Sequence, residues 1–134
     1  MLDAVSESKA PAGSQPTRSS AQTRRVAAID IGTNSTHLLV ASVDTTLGTF
    51  SIEQAEKSTT RLGERDPDSG ELTSEGMQRG YETLRRFRDL AISHDVEQIV
   101  TAATSAVREA PNGREFLQSI QAVSYTHLRA HETK

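Results

Sequence analysis

Two short apolar segments separated by a polar turn occupy residues 26–40. Each segment is continuous, short and rich in residues that favour strands, so each predicts a buried strand. The turn between them carries a carboxylate, a glycine, an amide and hydroxyl groups, which belong to Asp30, Gly32, Thr33, Asn34 and Ser35. A chain with this pattern is constrained to a sheet in which two strands hold a polar turn at one end.

This turn has the chemistry of a phosphate site. Gly32 lets the backbone approach a ligand closely, and successive backbone N–H groups can form a concave anion site. The hydroxyl and amide groups add short donors, while the Asp30 carboxylate can act through a metal or a water. The same Asp-x-Gly spacing is also common in tight hairpins, where both residues only satisfy turn geometry. Taken alone, the turn leaves both interpretations open.

Composition excludes several classes of protein. The 134 residues make one domain at most, and a net charge of -3 with a pI near 5.8 argues against a general nucleic-acid partner. Cysteine is absent, which rules out disulfides and thiolate metal sites within the chain. No apolar segment approaches the ~20 residues of a membrane span, and the first residues lack the apolar core of a signal peptide. We therefore expect a cytoplasmic protein without a membrane or nucleic-acid partner.

The chain divides into a leader, a first group of strands and a later α/β part. Residues 1–25 are rich in Ser, Ala, Pro, Gln and Thr, which predicts a disordered leader. Segments 26–31, 36–43 and 49–57 predict three antiparallel strands in a meander, with Gly48 in the second turn at positive φ.

Helical spacing begins at Thr73, a plausible N-cap, and continues to residue 91. Gly80 lies near the apolar face of this helix, which indicates close packing against the sheet. Residues 96–102 predict a parallel strand, 104–108 a polar turn and 112–120 another helix.

Three motifs together resemble those of the exopolyphosphatase / guanosine-pentaphosphate phosphohydrolase family. The first is the turn with its following strand at 30–40. The second is R-L-G-E at 61–64, followed by G-E-L-T-S-E-G-M at 70–77. The third is T-S-A-x-R-x-A-x-N at 104–112. The resemblance covers about residues 25–122.

The resemblance implies an α/β fold of the ribonuclease-H-like type that actin, sugar kinases and heat-shock chaperones share, with a mixed and incomplete sheet. Residues 26–122 would form the N-terminal part of the first of two domains around a cleft. It further implies Mg²⁺ held by Asp30, directly or through water. The residues implied to bind the phosphoryl group are Asp30, Gly32, Thr33, Asn34, Ser35 and Arg108. An alternative role for Arg108 is a surface ion pair with Glu109 or Glu115.

The activity implied for the parent protein is Mg²⁺-assisted attack of water on a terminal phosphoanhydride. Its substrate would be inorganic polyphosphate or guanosine pentaphosphate, and its assembly a homodimer. The family places its general-base glutamate in an S-G-x-E-E segment, where this chain has the foreign-looking residues 123–134. We therefore assign no catalytic residue and expect the truncated chain to be inactive alone. A non-catalytic polyphosphate- or nucleotide-binding module and a phosphotransferase of the sugar-kinase or acetate-kinase type are the alternatives.

Overall fold

The computed structural model describes residues 23–124 and 127–129. Its elements in chain order are β1 (Thr23–Ile31), β2 (Ser35–Asp44), β3 (Thr49–Thr59), α1 (Ser74–Ser93), β4 (Gln98–Ala103), α2 (Ser105–Glu109), α3 (Gly113–Ser124) and β5 (His127–Arg129). The strands form one sheet in the order β3-β2-β1-β4-β5. Strand β1 is antiparallel to β2 and parallel to β4, so the predicted α/β class with a mixed sheet is confirmed.

The first three strands form the predicted antiparallel meander. The turn between β2 and β3 closes through the Gly48 N–H, which donates to the Asp44 carbonyl at 2.9 Å. Gly48 has the expected positive φ, +70°. The second and third strands run slightly further than their apolar patterns indicated. Their backbone pairing extends from Asp44 and Thr49 at the hairpin to Ser35 and Thr59 at the other end.

Strand β1 begins at Thr23, inside the segment assigned to the leader. Two arginines account for the earlier start, because each forms an ion pair that holds the beginning of β1 in place. Arg24 pairs with Glu97 at 2.7 Å, and Arg25 pairs with Glu53 at 3.0 Å. Residues 1–22 lie outside the described residues, so the disordered leader stays a prediction.

The core lies on one face of the sheet, beneath α1 and α3. Side chains alternate along β1, so Ile29 is buried while Ala28 and Asp30 are exposed on the opposite face. The largest buried side chains of this core include Ile29, Ile31, Leu38, Val40, Leu62, Leu84, Phe87, Phe116 and Ile120. The face that carries Asp30 therefore stays open among the described residues.

Helix α1 begins as predicted, because the Thr73 hydroxyl accepts the Gly76 N–H at 3.0 Å. The prediction for Gly80 was correct about close packing but wrong about the partner. A Cβ at Gly80 would lie 2.8 Å from Phe116 Cζ, so this glycine lets α3 approach α1. Phe116 also packs edge-on against Tyr81, with ring centroids 5.3 Å apart.

The polar turn predicted at 104–108 is instead the short helix α2. The Thr104 carbonyl accepts the Arg108 N–H at 3.1 Å, and Val107 is fully buried beneath the turn. The polar residues of this segment hid the role of Val107, the buried side chain that anchors it.

The helix predicted at 112–120 is confirmed as α3, which extends to Ser124. Strand β5 then runs parallel to β4. Residues 125–126 and 130–134 lie outside the described residues, and the non-native origin of the tail stays a prediction. Within the described ranges, every helix is too short or too polar to cross a membrane.

Candidate phosphate-binding site

The parallel strands β1 and β4 end at the same edge of the sheet and bring two predicted site segments together. Ile31 at the end of β1 is in register with Ala103 at the end of β4. The Thr104 N–H donates to the Ile31 carbonyl at 3.0 Å, which joins the start of α2 to the turn that follows β1. The turn at 32–35 and the helix that carries Arg108 are therefore neighbours.

The turn itself is closed by one hydrogen bond, in which the Gly32 N–H donates to the Ser35 carbonyl at 3.0 Å. A Cβ at Gly32 would lie 2.7 Å from the same carbonyl oxygen. A side chain at this position would therefore push the turn open. This crowding gives the glycine of the motif a structural reason in addition to ligand access.

The carbonyl groups of Thr33 and Asn34 in the turn face inward, toward the segment 60–63. The Thr33 carbonyl accepts the Gly63 N–H at 2.7 Å. The Asn34 carbonyl accepts two N–H groups, from Thr60 at 3.1 Å and from Arg61 at 2.9 Å. The R-L-G motif thus supplies backbone donors to the turn.

The N–H groups of the same two peptides point the other way. In a trans peptide the C=O and N–H are on opposite sides, so the inward carbonyls of Thr33 and Asn34 turn the N–H groups of Asn34 and Ser35 outward. In residues 23–124, no backbone carbonyl accepts a hydrogen bond from the Asn34 N–H. The turn therefore presents backbone donors away from the protein, which is the geometry of an anion site.

Asp30 lies on the open face of the sheet, beside this turn. Cross-strand register places His37 of β2 next to Asp30, and Lys57 of β3 next to His37. These three side chains line an open cleft of about 440 Å³ together with apolar residues such as Ala28 and Leu39. Sequence reasoning missed both basic residues, and the alternation of each strand is the signal that could have placed them on this face.

Arg108 is half-buried at the neighbouring edge, where its Nε donates to the Ala103 carbonyl at 3.3 Å. The alternative role, a surface ion pair with Glu109 or Glu115, is not found: over residues 23–124 no carboxylate lies within salt-bridge distance of Arg108. Its outer guanidinium nitrogens remain available to a ligand.

Two further polar side chains hold the loop at 65–72 against this edge. Arg65 donates to the Gly70 carbonyl at 3.0 Å and also to the Ala106 carbonyl of α2. The Asn112 amide binds both backbone groups of Leu72. The second and third sequence motifs therefore meet here, and the last asparagine of T-S-A-x-R-x-A-x-N acts as a clamp between them.

The shifted pKa values lie away from this site. Hydrogen bonds from the Ser69 and Asp68 backbones hold the pKa of Asp66 below its usual value. A hydrogen bond from Arg24 likewise lowers the pKa of Glu97. These groups stabilise the loop before α1 and the start of the sheet.

Comparison with known sequences decides the family. The model of the Ppx/GppA phosphatase family matches residues 38–126, more than half of the chain. This chain belongs to the Ppx/GppA phosphatase family. This Ppx/GppA family member is 34% identical to exopolyphosphatase 1 of Mycobacterium tuberculosis over 107 residues. The aligned part covers 79% of this chain and 30% of the relative. It is 36% identical over 94 residues to exopolyphosphatase 2 of the same organism, covering 69% of this chain and 30% of the relative.

Solved structures agree with this Ppx/GppA assignment. The family member from Aquifex aeolicus superposes with a TM-score of 0.74 at 28% identity, over 81% of this chain and 35% of that one. An exopolyphosphatase from Cytophaga hutchinsonii superposes with a TM-score of 0.71 at 30% identity, over 80% of this chain and 34% of that one. The actin-type fold is confirmed. The chain spans about 30% of the length of the curated relatives it matches.

Proposed function

We propose that this chain supplies the first phosphate-binding turn of an enzyme that hydrolyses the terminal phosphoanhydride of inorganic polyphosphate. Support comes from the family, from two relatives named exopolyphosphatase, and from the turn itself. The observation that carries the proposal is the orientation of the Thr33 and Asn34 carbonyls toward residues 60–63. That orientation directs the N–H groups of the same peptides outward, where the oxygens of a terminal phosphate can accept hydrogen bonds from them.

Each site residue has a defined task in this proposal. The backbone of residues 32–35 binds the oxygens of the terminal phosphoryl group, and the Thr33 and Ser35 hydroxyls add donors. Arg108 contacts the phosphate from the neighbouring edge, where a planar guanidinium can bind two oxygens at once. Together these groups hold the terminal phosphoryl group in place and offset the negative charge of its oxygens.

The residues present fit Mg²⁺ if phosphate oxygens of the substrate supply further ligands to the ion. In residues 23–124 no three His, Asp or Glu side chains are grouped so as to hold a metal ion unaided. Asp30 is exposed and its carboxylate has no hydrogen-bond or ion-pair partner in that range. Mg²⁺ at phosphoryl-transfer sites commonly uses one or two carboxylates plus substrate phosphates and water. We propose Asp30 as that carboxylate; the bound ion would neutralise charge on the phosphoanhydride oxygens.

We assign no general base to this chain. Glu64 lies near the turn, yet it pairs with Arg61 at 3.3 Å and with Arg79 at 3.4 Å. A base must lie within hydrogen-bond reach of the attacking water, and the Glu64 carboxylate is instead held in ion pairs with Arg61 and Arg79. We propose that these 134 residues bind phosphate but do not hydrolyse phosphoanhydrides alone.

Guanosine pentaphosphate offers the same terminal phosphoanhydride and is the second substrate within this proposal. A cytoplasmic location agrees with the absence of cysteine. The homodimeric parent stays a prediction.

Calorimetric titration of the full chain with inorganic tripolyphosphate, with and without Mg²⁺, tests the proposal. Gly32→Ala should weaken binding by about tenfold or more, because the added methyl group meets the Ser35 carbonyl and opens the turn. Gly48→Ala is the matched control, because a Cβ at Gly48, in the turn between β2 and β3, would have open space around it. Equal affinity of the Gly32→Ala variant and the unaltered chain would contradict the proposed site.

A further inference from the structure

The segment 60–63 forms a second backbone layer behind the phosphate turn. It donates three backbone hydrogen bonds, and all of them go to the two inward carbonyls of Thr33 and Asn34. The consecutive N–H groups of Thr60 and Arg61 converge on the Asn34 carbonyl oxygen. Arg61 itself takes a left-handed conformation, with φ +47°, where the chain turns after β3. The segment is therefore shaped around the turn.

The same segment is fixed from behind by α1 and by the core. Thr60 is fully buried, and its hydroxyl lies 2.9 Å from the hydroxyl of Thr36. The Thr60 carbonyl accepts the Nε–H of Arg79 at 2.9 Å. Leu62 is 1% exposed and packs within the core. A segment held on this side cannot follow the turn if the turn moves.

Gly63 is where the two layers touch most closely. A Cβ at Gly63 would overlap the methyl carbon Cγ2 of Thr33 and would lie 3.3 Å from the Thr33 carbonyl oxygen. A larger residue must displace the Thr33 methyl group, and its 3.3 Å approach to the Thr33 carbonyl oxygen also crowds the 2.7 Å hydrogen bond from the Gly63 N–H. The contact that holds the peptide between Thr33 and Asn34 in its orientation is then weakened.

We propose that Gly63, supported by Arg79, is a positioning residue for phosphate binding. It touches no ligand and acts by fixing the Thr33–Asn34 peptide so that the Asn34 N–H points outward. Donors held in place before the ligand arrives lose little conformational freedom on binding, and this raises affinity. The inference rests on the function proposed above and extends it to a residue outside the turn.

A double-substitution cycle separates positioning from general stability. The variants are Gly63→Ala, Thr33→Ser and the combination of both, with Gly48→Ala as a glycine control that has no contact with the turn. Thr33→Ser removes Cγ2, the atom that a Cβ at residue 63 would overlap, and keeps the hydroxyl. Tripolyphosphate affinity is measured by calorimetry, stability by urea unfolding, and the ligand-free amides of residues 33–35 by ¹⁵N NMR.

We expect Gly63→Ala to weaken tripolyphosphate binding by about tenfold in the unaltered background and by much less in the Thr33→Ser background. The ligand-free resonances of Thr33 and Asn34 should shift in Gly63→Ala and return toward their original positions in the double variant. Gly48→Ala should lower stability through its left-handed backbone and leave affinity unchanged.

If Gly63→Ala does not fold, Arg79→Lys provides the test, with Arg85→Lys of the same helix as control. Lysine loses the Nε donor to the Thr60 carbonyl, so binding should weaken several-fold in Arg79→Lys only. Unchanged affinity in a folded Gly63→Ala, or in Arg79→Lys where that variant provides the test, overturns the inference. An equal loss from Gly63→Ala in the unaltered background and in the Thr33→Ser background also overturns it. If the unaltered chain itself does not bind tripolyphosphate, the proposed function fails first and this inference with it.

Discussion

Asn112 binds the backbone of Leu72 with both atoms of its amide group. Its Oδ1 accepts the Leu72 N–H at 2.8 Å, and its Nδ2 donates to the Leu72 carbonyl at 3.2 Å. The two residues are forty positions apart, and each lies in a different sequence motif. One side chain thus satisfies both backbone groups of Leu72, whose own side chain is buried.

Asn112→Ala should therefore lower the free energy of unfolding by about 1–3 kcal/mol, because it leaves two backbone groups beside a buried leucine without partners. Urea unfolding measures the change. Gln118→Ala, at an exposed position of α3, is the control and should shift stability by less than about 0.5 kcal/mol. Equal midpoints for both variants would show that the clamp is dispensable.

Arg108→Ala should weaken tripolyphosphate binding by about tenfold, since a charged hydrogen bond is lost at a half-buried position. Arg108→Lys keeps the charge but loses the planar guanidinium group, so its affinity should lie between those of the unaltered chain and of Arg108→Ala. Calorimetric titration gives both values. Arg114→Ala removes an exposed arginine from the start of α3 and should have little effect; a comparable loss there would mean that only overall charge matters.

Stability should fall in acid because two carboxylates have lowered pKa values in the folded chain. A hydrogen bond from Arg24 lowers the pKa of Glu97, and backbone N–H groups lower the pKa of Asp66. A lowered folded-state pKa stabilises the protein above the ordinary values of 4.5 and 3.8. That contribution is lost as the pH falls through the folded-state pKa values.

The double variant Glu97→Gln, Asp66→Asn should accordingly be less stable than the unaltered chain at pH 7 and should lose less stability on acidification. Urea midpoints across the acid range check this. Parallel acid curves for the two proteins would mean that other groups control the acid response.

The strands of the meander and the parallel strand β4 could be predicted from sequence because each is a continuous apolar or alternating segment. Helix α2 could not, because its formation depends on the Ile31 carbonyl that holds the Thr104 N–H and on the burial of Val107. Gly80 showed that close packing was needed, yet the sequence did not reveal Phe116 as the partner, since α3 is distant along the chain.

The same distinction applies to the site. The turn residues are contiguous, so one motif predicts them together. His37 and Lys57 join Asp30 only through strand register, and a shift of one residue would move either side chain to the opposite face. The contact of Gly63 with Thr33 depends on how a loop folds back over the turn, which no local pattern encodes.

The most direct test of the phosphate site is a ¹⁵N NMR titration of the full chain with inorganic tripolyphosphate. We expect the amide resonances of Thr33, Asn34 and Ser35 to shift together with a single dissociation constant, and not to shift on titration with an equal concentration of chloride. Shifts confined to exposed residues of α1 such as Arg85 and Arg86, with the turn resonances unmoved, would contradict it.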